Sequence, residues 1–353
     1  MPTLGLAGGT SPSLGRAIVT ALFSAPHGPQ WKIVILSRSR HRPLWLRAVD
    51  PEELRVQIRT ADYLSVESVA GALKGVDTLI SVTSALDGSQ RQVQLNLLHA
   101  AVKAGCARFA PSQWGFGPTG LEAVSATKGA VEGVWEECMR FQDKIECTRF
   151  NHGSYMNYLG HGIFPNPEPP LPEDKQLIRL QEGGGYAKGE DEACQGLHRQ
   201  GDMKDGSGAF LISLKNGIAE LPQTDDGKWP RITLTTMRDV GRFVAYSLEL
   251  PRWEPSMTMV GETLTMGELL THAEAVAKRK LDVTVVNSKS LERKLKSVSS
   301  DDFMAWLWVE LKLAYCRDRL DEGYLEPVVN RLCPEVKPTS VKEYLQSHWM
   351  DAD

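Results

Sequence analysis

Along the first half of the chain, short β-branched runs alternate with stretches whose apolar positions recur every three or four residues. This is the pattern of a parallel sheet covered by helices. Strands are predicted at Leu4–Ala7, Lys32–Leu36, Val56–Arg59, Thr78–Val82, Ala107–Ala110 and Ile145–Phe150, with helices between them at Leu14–Phe23, Val66–Leu73, Arg91–Ala104 and Glu122–Phe141. A βαβ order repeated in this way predicts an α/β fold with a doubly wound sheet in residues 1–155.

The pattern changes after Phe150. Prolines gather at Pro165, Pro167, Pro169, Pro170 and Pro172, and the glycine-rich, charged stretch Glu182–Gly208 follows. This insertion, 165–210, admits two readings, a surface excursion or a lid over a site. Regular elements return with a strand at Arg231–Thr235, a helix at Asp239–Leu248, a strand at Met257–Val260 and a helix opened by the capping pair Thr265 and Glu268. A strand at Leu281–Val286 and a helical tail from Ser290 complete the chain, with Ser300, Asp301 and Asp302 as capping candidates before a helix at Phe303–Leu320. Residues 156–353 thus read as a smaller α/β substrate-binding region with a helical tail.

Charge and composition narrow the classes of function. The 40 basic and 44 acidic residues are interspersed, so no basic face for a phosphate backbone stands out and nucleic acid is not expected as a partner. The six cysteines form no CxxC pair and read as small buried hydrophobes of a reducing compartment, and the eight histidines lack metal-ligand spacing, so no metal is expected. The start of the chain is already strand-like, and Phe303–Tyr315 is too short and too charged to span a bilayer, so a cytoplasmic protein without membrane attachment is expected.

The strongest local signal is the run Leu4-Gly5-Leu6-Ala7-Gly8-Gly9-Thr10-Ser11-Pro12-Ser13-Leu14-Gly15, a strand passing through small residues into an apolar helix. A phosphate approaches the N–H groups of a helix start only where bulky side chains are missing, which points to Gly8, Gly9, Thr10, Ser11, Ser13, Leu14 and Gly15. The usual glycine spacing is not met, and a plain structural turn is the other reading. The second strand ends Leu36-Ser37-Arg38-Ser39-Arg40, with no acid to receive the ribose hydroxyls of NAD and with Ser37 and Arg38 placed to receive a 2′-phosphate. A Rossmann-type fold binding NADP(H) is therefore expected. Asp62, after strand three, either lies near an adenine or caps the next helix, and Thr83 and Ser84, after strand four, flank the open crevice.

With Phe109-Ala110-Pro111-Ser112-Gln113-Trp114-Gly115, preceded by Ala100-Ala101-Val102-Lys103-Ala104-Gly105, the chain resembles the isoflavone reductase-like and NmrA-like atypical short-chain dehydrogenases/reductases. Thr233–Val244 and Gly261-Glu262-Thr263-Leu264-Thr265 extend the likeness, which runs over about residues 3–295. The resemblance implies that Pro111 and Ser112 touch the cofactor. It also implies that Lys128, on the helix after strand five, contacts the nicotinamide ribose and assists proton transfer. A helix residue pointing into the crevice would be desolvated, and a surface lysine near a helix start is the other reading. The tyrosine of a Tyr-x-x-x-Lys pair is missing, because Val124 stands in its place, which leaves Lys128 itself, a bound water or Tyr155 to deliver the proton. The segment Asn151–Tyr158 is expected to cross the nicotinamide. It offers His152, Tyr155 and Tyr158, with Gln113, Trp114 and Phe116, as walls for a small substrate, although core packing explains each aromatic as well.

The expected activity is NADPH-dependent reduction of a polarised C=C or C=O bond in a small, aromatic or specialised metabolite. Two other classes stay open: a nucleotide-binding redox sensor that reports to a protein partner, and a non-redox isomerase, dehydratase or cyclase that retains the dinucleotide.

Overall fold

The computed structural model describes residues 1–85, 87–161, 171–186, 211–214, 216–299 and 303–349. Six parallel strands form the main sheet: β1 (Thr3–Ala7), β2 (Lys32–Ser37), β3 (Val56–Thr60), β4 (Thr78–Ser81), β5 (Arg108–Ala110) and β6 (Glu146–Cys147). Their spatial order is β3-β2-β1-β4-β5-β6, the doubly wound arrangement, and it reverses between β1 and β4. In open sheets of this kind the ligand crevice lies at the carboxyl ends of the strands, at that reversal.

Strand alternation sends the two sheet faces into two cores. Leu4, Leu6, Ile33 and Ile35 face α1 (Leu14–Ser24) and share a cluster with its Ile18 and Leu22. Ala7, Val34, Leu36 and Leu79 face the other way, into a cluster with α3 (Val66–Ala72) and α4 (Gln90–Ala104). The short α2 (Leu44–Val49), which hydrophobic periodicity did not reveal, lies between β2 and β3 and buries Trp45 and Leu46.

The predicted helix Glu122–Phe141 is instead three helices, α5 (Pro118–Ala123), α6 (Ser125–Val131) and α7 (Val134–Arg140). Val124 is extended and Gly133 is left-handed at φ +73°, which breaks the α-helical hydrogen-bond run twice. The predicted strand Ile145–Phe150 also divides, because the chain changes sheets at Thr148. Its amide reaches Phe109 in β5, whereas its hydroxyl reaches the Glu254 carbonyl. Beyond it, β7 (Arg149–Asn151) pairs with a later strand rather than with the main sheet.

Then come β8 (Ser154–Tyr155), α8 (Tyr158–His161), α9 (Glu173–Glu182), β9 (Ile212–Ser213), β10 (Ile218–Pro222), β11 (Arg231–Thr235) and α10 (Met237–Ser247). The remaining elements are β12 (Ser256–Thr258), β13 (Glu262–Thr265), α11 (Met266–Ala277), β14 (Asp282–Val286), α12 (Ser288–Ser297), α13 (Phe303–Cys316), α14 (Val328–Leu332) and α15 (Val341–Trp349). Small sheets β14-β10-β9 and β13-β11-β8 build a smaller C-terminal α/β region around a third apolar core, while the pair β12-β7 buries Phe150 and Met257 in the same core as α1. Helix α10 returns to lie on α1, so closely that a Cβ on Gly241 would stand 2.3 Å from the Ala17 carbonyl oxygen.

The capping box of Thr265 and Glu268 is present at the start of α11. Helix α13 stops at Cys316, short of the expected Leu320, where the chain turns and Asp318 takes φ +45°. Ser300, Asp301, Asp302, Cys194, Pro165, Pro167, Pro169 and Pro170 lie outside the described residues, as does most of the insertion. Among the described residues, Cys106, Cys138, Cys147, Cys316 and Cys333 are free and buried, and no helix is long and apolar enough to cross a membrane.

Candidate functional site

The glycine turn after β1 is built from backbone constraints. Gly8 takes φ +78°, and a Cβ there would lie 3.1 Å from the Thr83 amide nitrogen. Gly15 meets the turn from the helix side, where a Cβ would fall 2.5 Å from the Gly9 carbonyl oxygen. The glycines are therefore required by the turn itself, and the turn leaves the start of α1 uncovered by bulky side chains. Ser11 Oγ accepts from the Ser13 amide (3.1 Å) and lies 2.5 Å from Ser13 Oγ, tightening the loop between them. The first-turn amides of Leu14 and Gly15 have no acceptor within their own helix, as in any helix, and Thr10, Ser11 and Ser13 stay partly exposed beside them.

On the far side of β2 the structure opens a cleft of about 390 Å³ lined by Arg38, Thr60, Ala61, Asp62 and Ser68. That lies in the range of small-molecule sites, roughly 300–1,000 Å³. Arg38 is exposed and lines the cleft, and Ser37 Oγ accepts the Ser39 amide at 3.2 Å, which curls the segment around it. Of the two roles open to Asp62, capping falls away: Ser65 caps α3, while Asp62 Oδ1 accepts the Leu64 amide at 2.9 Å. Asp62 is left on the cleft wall.

Tyr63 was not singled out by sequence reasoning, although it directly follows Asp62. Its hydroxyl donates to the Leu36 carbonyl (2.5 Å) and accepts from the Gly8 amide (2.9 Å), joining the glycine turn to the end of β2. Burial, against the opposing pull of the Gly8 amide and of Arg38, pushes this phenol up to about 12, so it stays protonated.

The floor between the two halves is a side-chain network that the sequence did not disclose. Gln94, fully buried, donates to Thr83 Oγ1 (2.8 Å) and accepts from the Ser112 amide (2.8 Å). The Thr83 carbonyl receives both Gln90 Nε2 and Ser112 Oγ, each at 2.8 Å. Thr83 and Ser112 are thereby fixed at the carboxyl ends of β4 and β5, with Ser84 exposed beside them and Pro111 buried behind. Glutamines on the inner face of α4 would have been the only signal.

The expected substrate walls divide. Trp114 is partly exposed, stacks flat on Phe150 at 5.6 Å and donates its indole N–H to the Ser81 carbonyl at 2.8 Å. Tyr158 is also partly exposed and meets Tyr155 edge-on at 5.4 Å. Phe116 is buried against Tyr315 in the C-terminal core. Gln113 is buried as well, and its carbonyl, with that of Phe116, receives the Asn151 amide group. Tyr155 is 9% exposed and stacks on His152 at 4.0 Å. His152 is fully enclosed, and among the described residues neither ring nitrogen has a hydrogen-bond partner. Burial drives its imidazole down to about 3, which keeps it neutral and removes acid–base work at ordinary pH.

Of the two readings of Lys128, the structure shows the exposed one. It lies on α6 with its side chain making no hydrogen bond or ion pair to any described residue, rather than enclosed in a crevice. The breaks at Val124 and Gly133 separate α6 from the longer helix that the spacing predicts.

Comparison with known proteins agrees with this fold. Residues 6–156 match the sequence model of the NmrA-like family. A curated relative, Oxidoreductase BOA1 of Botryotinia fuckeliana (strain B05.10), is 24% identical over 286 residues, covering 79% of this chain and 77% of that one. Among solved structures, the pinoresinol-lariciresinol and phenylcoumaran benzylic ether reductases superpose with a TM-score of 0.66 at 16% identity, over 99% of this chain and 100% of the other. Leucoanthocyanidin reductase from Vitis vinifera, solved with NADPH, gives 0.64 at 15% identity over 99% and 100%. The NADPH-dependent quinone oxidoreductase of Escherichia coli, solved with NADPH, gives 0.61 at 16% identity over 97% and 98%. The chain thus has a Rossmann fold, shared with these neighbours, two of which were solved with NADPH.

Proposed function

We propose that this protein is an NADPH-dependent oxidoreductase that reduces a polarised C=C or C=O bond of a small, aromatic or specialised metabolite. One observation carries the reading: Arg38 lines a cleft on one side of β2, with the glycine turn on the other side and no acid at the end of β2. The cleft takes the adenosine 2′-phosphate, with Arg38 as its counter-charge and Asp62 toward the adenine amino group. The turn between Gly8 and Gly15 takes the pyrophosphate. Thr83, Ser112 and the partly exposed Trp114 shape the path toward the nicotinamide, and Tyr158 offers an aromatic wall beyond it.

NADPH, when bound, supplies a hydride, and the protein supplies orientation and charge. Lys128 carries a proton at Nζ for the substrate oxygen, and the exposed position of α6 requires that a substrate, once seated, exclude water around it. That exposure also favours a second reading, in which the nucleotide is bound and sensed without turnover.

The test is a calorimetric titration with NADP⁺ and NAD⁺, followed by NADPH absorbance with quinones and aromatic enones as acceptors. Tighter binding of NADP⁺ and acceptor-dependent loss of NADPH are expected. Binding without consumption across acceptors selects the sensor, and an absence of binding removes both readings.

A further inference from the structure

We propose that Tyr63 is a positioning residue that fixes the spacing between the phosphate turn and the Arg38 cleft, so that it governs affinity for a whole dinucleotide but not for a fragment. The proposal rests on the nucleotide reading above.

Three chain segments meet at one phenol oxygen. The Gly8 amide, which opens the turn, donates both to Tyr63 Oη at 2.9 Å and to the Leu36 carbonyl at 3.1 Å, while Oη donates to that same carbonyl at 2.5 Å. Leu36 lies two residues before Arg38, and Asp62, immediately before Tyr63, lines the same cleft. The phenol therefore ties together the two places where a dinucleotide would be held, one at each side of β2.

The ring is not free to drift. The Tyr63 carbonyl accepts from Asn96 Nδ2 at 3.0 Å, Asn96 Oδ1 accepts from Gln92 at 2.8 Å, and the ring packs on the α3–α4 core. The triangle also spends the Gly8 amide within the protein, so the N–H groups left for a pyrophosphate are those further along the turn, at Thr10, Leu14 and Gly15. A rigid brace matters most to a ligand that bridges both sites, because misplacing either site by a fraction of an ångström loses contacts at one end. A ligand that touches only one site tolerates the change.

Tyr63→Phe keeps the ring and removes the oxygen. Its affinity for NADP⁺ and for NAD⁺, by calorimetry, is expected to fall by about tenfold, in line with the loss of one to two neutral hydrogen bonds. Adenosine 2′-phosphate, which reaches only the Arg38 side, is expected to bind as it does to the parent protein. Asn96→Ala, which frees the Tyr63 loop without touching the phenol, should weaken NADP⁺ in the same sense and carries the test if Tyr63→Phe does not fold. Unchanged NADP⁺ affinity in folded Tyr63→Phe would overturn the proposal, and so would an equal loss for the fragment, since that marks general loosening. A parent protein that binds none of the three nucleotides overturns the nucleotide reading as well, and that result is distinct from either of these.

Discussion

Replacing Gly8 by alanine separates two reasons for a glycine in the turn, backbone shape and room for a ligand. At φ +78° an alanine pays the left-handed penalty, about 1–2 kcal/mol. Its Cβ would also stand 3.1 Å from the Thr83 amide nitrogen and 3.2 Å from Thr83 Cα and Cγ2, closer than ordinary contact. Thr83 cannot retreat cheaply, because Gln90, Gln94 and Ser112 all hold it. Overpacking of this kind adds roughly 1–3 kcal/mol, for a total of about 2–5 kcal/mol. Each kcal/mol shifts the melting temperature by about 2–4 °C in chains of 150–250 residues, and somewhat less in a longer one, so a fall of several degrees is expected. Thermal unfolding without nucleotide, followed by circular dichroism, measures it. A melting temperature unchanged within a degree, together with lost NADP⁺ affinity, would refute the argument and show that the position is kept open for a ligand alone.

Arg38→Ala should weaken NADP⁺ by roughly tenfold and leave NAD⁺ nearly unchanged, as loss of a charge-assisted hydrogen bond implies, with the difference shrinking at high salt; equal losses for both nucleotides would count against the cleft assignment. In the C-terminal region, Glu220 is bonded to the buried Lys312 and has Lys294 at 3.7 Å, and despite burial these two cations hold its carboxyl below the usual range. Glu220→Gln should therefore cost about 3–5 kcal/mol by stranding a buried ammonium, and Lys312→Met clearly less, because Lys294 still faces the carboxylate; urea denaturation showing the reverse order would contradict this. His152 binds no proton in the folded state until about pH 3, whereas the unfolded chain takes one up near 6.5, so stability is full above that value and declines as pH falls toward 3. His152→Phe should flatten this part of the acid-unfolding profile, and an unaltered slope would show that other groups set it.

The alternation of β-branched strands and amphipathic helices, the glycine turn and the arginine at the end of β2 were legible in the chain because each is a local consequence of residue type. Period-two burial, close backbone approach and the sign of a charge need no knowledge of distant partners. The same holds for the capping box of Thr265 and Glu268, which spans only four residues.

Tertiary structure decided the rest, wherever a distant contact outweighs a local tendency. Periodicity joined Glu122–Phe141 into one helix, but Val124 and Gly133 divide it, and Lys128 lies exposed on the short middle segment. Phe116 and Trp114 looked alike as aromatic walls, yet Tyr315 draws Phe116 into a core while the Ser81 carbonyl holds Trp114 at the crevice. Tyr63, Gln90 and Gln94 carry no motif, because their importance comes from the backbone groups they reach across the fold: Gly8 and Leu36 for the tyrosine, and Thr83 and Ser112 for the glutamines. A sequence states which hydrogen-bonding groups exist, and only the folded chain determines which of them meet.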